Sequence, residues 1–197
     1  MRILPILFNT EMVKAILNGK KTVTRRLVRK NDIEKLLNSP FHEQHPEVTD
    51  IQIINKLCTP PYQHGDVLYV RETWCYHKDA DKPWYGYRAD GDYRDIDLKW
   101  KPSLHMPKEA ARIWLKVTGV RVERLQDMNG QDVLKEGLNS LVHPKAFYFD
   151  MNQREMFERL WNSTIKKTEI DRFGWDANPY VWVIEFERCE KPEIANS

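Results

Sequence analysis

Cysteine is scarce in this chain of 197 residues, with three copies in all, Cys58, Cys75 and Cys189. An odd number spread that widely, with no secretory n-region and h-region at the start, excludes a disulfide framework and sets the expectation of a reducing, cytoplasmic setting. Long hydrophobic runs are missing as well. The longest are fragments such as Ile3 to Phe8, far short of the ~18 apolar residues that cross a bilayer. Charge of one sign is also missing: 31 Lys and Arg stand against 29 Asp and Glu, a net +2. That balance excludes a polycation that coats nucleic acid or an acidic membrane indiscriminately, so any such binding has to use local charge. No repeat and no Gly/Ser-rich or Pro-rich linker appears. The Gly-x-x-x-x-Gly-Lys-Ser/Thr, Gly-x-Gly-x-x-Gly and Gly-x-Ser-x-Gly patterns are absent, as is any DNA-reading helix pattern. Cys-x-x-Cys and His-Glu-x-x-His are absent too. Cys75-Tyr-His77 and His42-Glu-Gln-His45 come nearest to ligand pairs, so neither a metal nor a cofactor is expected.

What remains is an ordinary globular composition, 41% hydrophobic and 30% charged, enough for one well-buried core or two small ones. Ile3 to Phe8 reads as a strand. Asn9 or Thr10 can cap a helix carrying Val13, Ala15, Ile16 and Leu17, with Gly19 as its C′ residue. Arg29 to Gln63 is polar and proline-marked, with a short helix around Ile33 to Leu37, and suits an inserted loop region. Val67 to Trp74 and Trp84 to Ala89 read as strands, followed by an Asp90-Gly91-Asp92 turn. Arg112 to Leu125 is the longest β-like stretch, with Gly119 at a bulge or bend. A short helix near Gly130 to Glu136 stops at Gly137. A second begins at Asn152-Gln-Arg-Glu155 and places Met156, Phe157, Leu160 and Trp161 on one face. Tyr180 to Glu187 alternates as a final strand. About six strands with three or four helices, not strictly alternating, make the fold class α+β with a small mixed sheet or barrel.

The sharpest local feature is Gly19-Lys-Lys-Thr-Val-Thr-Arg-Arg26, extended by Arg29 and Lys30: six cations and no acid between residues 20 and 30. Lys20, Lys21, Arg25 and Arg26 could hold phosphates while the threonine hydroxyls donate to the same oxygens. The alternative is a solvated loop that complements a helix C-terminus. A nucleophile is a further option. The Thr24 hydroxyl needs a base, and neighbouring cations together with partial burial would lower the pKa of Lys21 toward that role. In a regular strand residues 21 and 24 face opposite sides, so their cooperation needs a turn or bulge. Glu136 ends a short helix, where the dipole disfavours a carboxylate, so it asks for a cation from elsewhere in the fold; otherwise it is a surface glutamate. In Val70-Arg-Glu-Thr-Trp74, Arg71 can grip a phosphate or a core carboxylate, Glu72 faces the other way, and Trp74 can stack on a base or fill the core. Trp84-Tyr-Gly-Tyr-Arg88 interleaves rings with a cation as a stacking platform does. His105, between Pro102 and Pro107, is a ligand-facing or acid/base candidate in a rigid loop.

These segments, in this order, resemble the ASCH domain family of the PUA-like superfamily, and among its members the longer bacterial and prophage-type proteins. The stretches that carry the resemblance are Ile6-Leu-Phe8, Met12 through Arg26, Tyr62 through Trp74, Tyr87 through Gly91, Trp100 through Pro107, the region from Val122 through Glu136-Gly137, and Trp175 through Phe186. The resemblance implies a PUA-like β-barrel flanked by helices, with a cleft for RNA or a modified nucleoside. Small bacterial ASCH proteins include amidohydrolases of N4-acetylcytidine that use a Lys and a Thr from Gly-x-Lys-Thr-x-Thr and a Glu from a later helix. By motif these look like Lys21, Thr24 and Glu136. Ribonuclease activity is also attributed to members of the family. The present chain is about twice as long as the amidohydrolases and adds Arg25 after Thr24, together with the Arg71-Glu72 and His105 segments.

The expectation is therefore a single domain over 1–190, with an inserted loop region at about 30–62 and a polar tail at 191–197. Its basic cleft would hold RNA or a modified nucleoside or nucleotide, with Lys20, Arg25, Arg26, Arg71, Glu72, Trp74 and His105 as ligand contacts. The alternatives are an N4-acylated cytidine amidohydrolase acting through Lys21, Thr24 and Glu136, a ribonuclease, or a phage structural or host-interaction protein. The partner is RNA or a nucleoside and not a membrane; the sequence does not set the oligomeric state.

Overall fold

In the structure, a computed structural model, the described residues are 1–28, 39–40, 44–45, 47–78, 82–91, 99–138 and 152–193. The helix expected at Ile33 to Leu37, the residues Arg29, Lys30, His42 and Asp92, and the loop around His143 to Asp150 lie outside them. The described elements are β1 (Ile3–Leu7), α1 (Thr10–Leu17), β2 (Val23–Leu27), α2 (Asp50–Leu57), β3 (Val67–Arg71), β4 (Trp74–His77) and β5 (Trp84–Tyr87). After these come β6 (Trp114–Arg124), α3 (Gly130–Lys135), α4 (Gln153–Thr164), α5 (Ile170–Phe173) and β7 (Tyr180–Cys189). The class is α+β, as the sequence implies. Seven strands are described where about six were expected, because the run from Val67 to Trp74 is two strands. The chain leaves the main sheet at Glu72, whose buried carboxylate is held by Arg112, and Trp74 to His77 pairs instead with Trp84 to Tyr87 as a separate hairpin.

Five strands form one sheet in the order β1-β3-β6-β7-β2, with β1 parallel to β3 and the other pairs antiparallel. The expected barrel does not close: β1 and β2 are the two edges and share no ladder among the described residues. A side chain spans the seam instead, Arg26 Nη2 donating to the carbonyl of Leu7 at 3.0 Å. Along β6 the register with β7 shifts between Val117 and Gly119, which is the bulge the glycine foretells.

Both faces of the sheet are covered, so β7 is buried continuously from Val181 to Ile184 although its sequence alternates. Trp182, Ile184 and Phe186 pack with Ile6, Val13 and Ile16 of the β1-α1 unit on one face; Val181 and Val183 pack with Val23, Phe157 and Trp161 on the other. A third cluster gathers Tyr69, Trp74, Met106 and Trp114. The loop expected over about 30–62 is corrected in part: residues 50–57 form a helix, α2, with a full capping box between Thr49 and Gln52. It buries Ile53 and Ile54 in the first core, worth about 1.5–3 kcal/mol for each side chain. No described helix is long and apolar enough to cross a membrane.

Candidate ligand cleft at the edge strand

Asn9 caps α1 by accepting from the Met12 amide, and Gly19 at φ 68° ends the helix, which turns the chain back so that the Lys20 and Lys21 amides both reach the carbonyl of Ala15. This compact exit lays Lys21 against the end of α3, where it pairs with Glu136 in an isolated antiparallel bridge. Gly137, at φ 86°, permits the contact: a Cβ there would stand 2.7 Å from Ala15 Cβ and 2.9 Å from Lys21 Cβ.

The cation that the dipole argument requires for Glu136 proves to be two cations. Lys21 Nζ donates to Glu136 Oε2 at 2.6 Å, to the Glu136 carbonyl at 3.1 Å and to the Val23 carbonyl at 2.8 Å. Arg25 Nη1 donates to Glu136 Oε1 at 3.0 Å, while its Nε and Nη2 share Glu123 Oε1 at 3.1 and 2.8 Å. Burial lowers the pKa of Lys21, and Glu136 only partly offsets it. For Arg25 burial acts in the same direction, but Glu136 and Glu123 outweigh it and raise the pKa. All three Lys21 protons are thus on acceptors other than Thr24. The Arg25 guanidinium lies between two carboxylates with its side chain 1% exposed, so it is not presented as a phosphate ligand.

Beside this network a small open cleft lies along β2. Thr24, Arg25, Arg26 and Glu136 line it together with Met12 of α1 and Phe157, Leu160, Trp161 and Thr164 of α4. Arg26 has no carboxylate partner among the described residues. It lies with Cζ 5.5 Å from the Phe8 ring centre and also borders a second groove with Tyr62 and Trp182. Burial lowers its pKa, partly offset by Tyr62 and Glu136. An amphipathic cleft, lined by apolar side chains and by a threonine and an arginine, suits a ligand with an apolar face and one anionic or strongly accepting group.

Lys21, Thr24, Arg25, Arg26 and Glu136 are therefore brought together, while the other candidates lie elsewhere. Lys20 is exposed and does not line the cleft. Glu72 is 1% exposed; burial raises its pKa against a bidentate Arg112, which also holds Asp90 and lies 4.0 Å over the Tyr87 ring. Glu136, not Glu72, lines the cleft. Arg71 donates to the Leu104 carbonyl and the Tyr69 hydroxyl, Trp74 is buried in the third core, and His105 sits exposed in a short 3-10 turn; none of them borders the cleft. The supposed stacking platform is occupied by its own neighbours: Trp84 stacks on His77, and Tyr85 packs on Trp74 and Tyr76. Sequence reasoning missed the α4 wall. Phe157, Leu160 and Trp161 read as core at helical spacing, which Phe157 and Trp161 also are, and nothing local marks Thr164 as facing the cleft.

No family model matches the sequence, and no curated protein matches it. Among solved structures, the chain is similar over 95% of its length to 79% of the ASCH domain from Lactobacillus crispatus JV V101, at 13% identity and a TM-score of 0.39. It is similar over 96% of its length to the whole of the hypothetical protein PH0355, at 14% identity and a TM-score of 0.40.

Proposed function

We propose that the chain is an ASCH-type, PUA-like domain, single over 1–190 with an insertion at about 30–62 and a tail at 191–197, whose cleft beside β2 binds a nucleotide of RNA or a modified nucleoside. The observation that carries this reading is the meeting, in one cleft, of Thr24 and of Arg26, which makes no salt bridge among the described residues, with the apolar wall of α4. A base can lie on the apolar wall while a phosphate or sugar oxygen meets Arg26 and Thr24. The motif Gly19-Lys-Lys-Thr-Val-Thr24 supports the family assignment.

The test is equilibrium binding of the four ribonucleosides and of short single-stranded RNAs at two salt concentrations. Saturable binding is expected, with RNA affinity that falls as salt rises. Arg26→Ala weakens RNA binding about tenfold and lowers the salt slope by about one. Failure of every nucleoside and RNA to bind at millimolar concentration overturns the reading.

A second reading, amide hydrolysis on an N4-acylated cytidine-type nucleoside, is favoured by the convergence of Lys21, Glu136 and Thr24. In it the Thr24 Oγ attacks the amide carbonyl carbon as its proton passes to a neutral Lys21 amine. That proton then protonates the leaving nitrogen as the C–N bond breaks, and water hydrolyses the acyl-threonine to a carboxylic acid. Glu136 positions the lysine. As a neutral amine Lys21 gives up one of its three donated hydrogen bonds, which frees a lone pair for the Thr24 proton. Thr24→Ala then abolishes turnover, measured as released acid, with nucleoside affinity changed less than threefold; unchanged turnover in that variant excludes the mechanism.

A further inference from the structure

The ladder between β2 and β7 decides which main-chain groups of β2 face the cleft. At its two ends the Phe186 amide donates to the Thr22 carbonyl at 2.9 Å and the Val28 amide donates to the Tyr180 carbonyl at 3.0 Å. With Thr24 opposite Ile184 and Arg26 opposite Trp182, the alternation of an antiparallel ladder spends the main-chain groups of Thr24 and Arg26 on β7. Those of Val23, Arg25 and Leu27 then point the other way, across the free edge of the sheet. Val23 is spoken for, its carbonyl accepting from Lys21. Leu27 borders the second groove and not this one. Among the described residues, Arg25 is the one left to present an amide N–H and a carbonyl side by side to the cleft that it lines. Its exposure agrees: the residue is 4% exposed and its side chain 1%, so what solvent reaches is chiefly main chain.

Resting on the nucleoside reading above, we infer that the Arg25 main chain reads the pairing edge of a base in the cleft, its N–H donating to a ring acceptor or carbonyl oxygen and its C=O accepting from the adjacent N–H. Every base carries such a neighbouring donor and acceptor on that edge, so one residue in extended conformation can hold any of them bidentately. The same edge is consumed in a duplex, and the site is therefore selective for an unpaired base. A single residue with both groups open is too short for strand addition by a peptide, which draws on main-chain groups along a longer edge. The salt bridges of Arg25 to Glu136 and Glu123 take on a purpose here: they fix the backbone whose polar groups form the contact.

The experiment is amide NMR on the ¹⁵N-labelled full chain, titrated with the four ribonucleosides and with N3-methyluridine, N1-methylguanosine, N4,N4-dimethylcytidine and N6,N6-dimethyladenosine. These are neutral, and each is blocked at the pairing edge. The expected result is a downfield shift of the Arg25 amide with whichever nucleoside binds, and at least a tenfold loss of affinity for its methylated form. If nucleosides bind and the methylated forms bind within twofold, or the Arg25 amide does not move, the inference is overturned while the nucleoside reading stands. If no nucleoside binds, both fall. A shift of Arg25 produced by an extended acetylated hexapeptide and by no nucleoside replaces base reading with strand addition.

Discussion

Lys21 and Glu136 illustrate what a buried charge demands of its surroundings. The lysine side chain is fully enclosed and that of Glu136 is 4% exposed, and every proton of the ammonium is on an acceptor. Removing Glu136 leaves the Lys21 ammonium without a carboxylate and takes one from Arg25. Glu136→Ala is expected to cost about 3–5 kcal/mol in urea unfolding, and the double variant Lys21→Met/Glu136→Leu to recover only the part due to Lys21, since Arg25 still lacks that carboxylate. A loss below about 1 kcal/mol in the single variant would show that the pair is not a buried one. Part of this was legible in the sequence, because a carboxylate at a helix C-terminus before glycine asks for a cation. Which cation was not legible, since Lys21 lies 115 positions earlier in the chain. The surroundings of Arg25 are hidden in the sequence for the same reason. In a run of basic residues a guanidinium reads as a phosphate ligand until the fold brings Glu123 and Glu136 to it from 98 and 111 positions away.

At the scale of elements, two joints hold the site in place. The first is the close approach of α1 and α3 at Gly137. Its left-handed φ and the contacts awaiting any Cβ make Gly137→Ala strained twice over, once in the backbone and once against Ala15 and Lys21. A loss of about 2–3 kcal/mol is expected, read as a fall in Tm; an unchanged Tm would mean that the joint is loose.

The second joint is Asp66, just ahead of β3, which accepts from the Arg2 amide and guanidinium and from the Gln63 amide. Burial works against the charged carboxyl, but these donors outweigh it and hold the pKa below its ordinary 3.8. The stabilisation is therefore present above about pH 3.8 and is lost as pH falls through the lower, folded value. Asp66→Asn should unfold more easily at pH 7 by about 1–2 kcal/mol, and the gap to wild type should close in acid; a gap that widens in acid would contradict the assignment. Elements were read well where a periodic run is framed by caps, as in α1 and α4. Residues 50–57 were passed over because prolines and polar residues surround them, although Thr49, Gln52 and the spacing of Ile53, Ile54 and Leu57 carry the signal. The break at Glu72 has no local signature, since Val67 to Trp74 has the composition of one strand throughout and only Arg112, 40 positions on, explains why the chain turns away.

For the whole molecule, the consequence of an almost closed sheet is that its seam becomes the site. Five strands curl until Arg26 of one edge reaches the Leu7 carbonyl of the other, α1 covers one flank, and α4 stands off the second by the width of the cleft. The class and strand content could be anticipated from periodicity. Closure could not, because it depends on the summed curvature of five strands and on a side chain that bridges the last gap. The net charge of +2 has the same character: it averages a basic turn at the seam, much of it neutralised internally, against acids spread over the chain. On the proposed reading such a molecule would bind by one focused contact and not by its overall field.

The most direct measurement is photo-crosslinking of the full-length protein to a short single-stranded RNA containing 4-thiouridine, with the adducts mapped by peptide mass spectrometry. Adducts are expected on the β2 residues around Thr24 to Arg26 and on the cleft-facing turn of α4 from Leu160 to Thr164, and they should disappear when unlabelled RNA competes. Adducts confined to Arg71 and the neighbouring turn Ser103–His105, with none on β2 or α4, would contradict the assignment of the cleft.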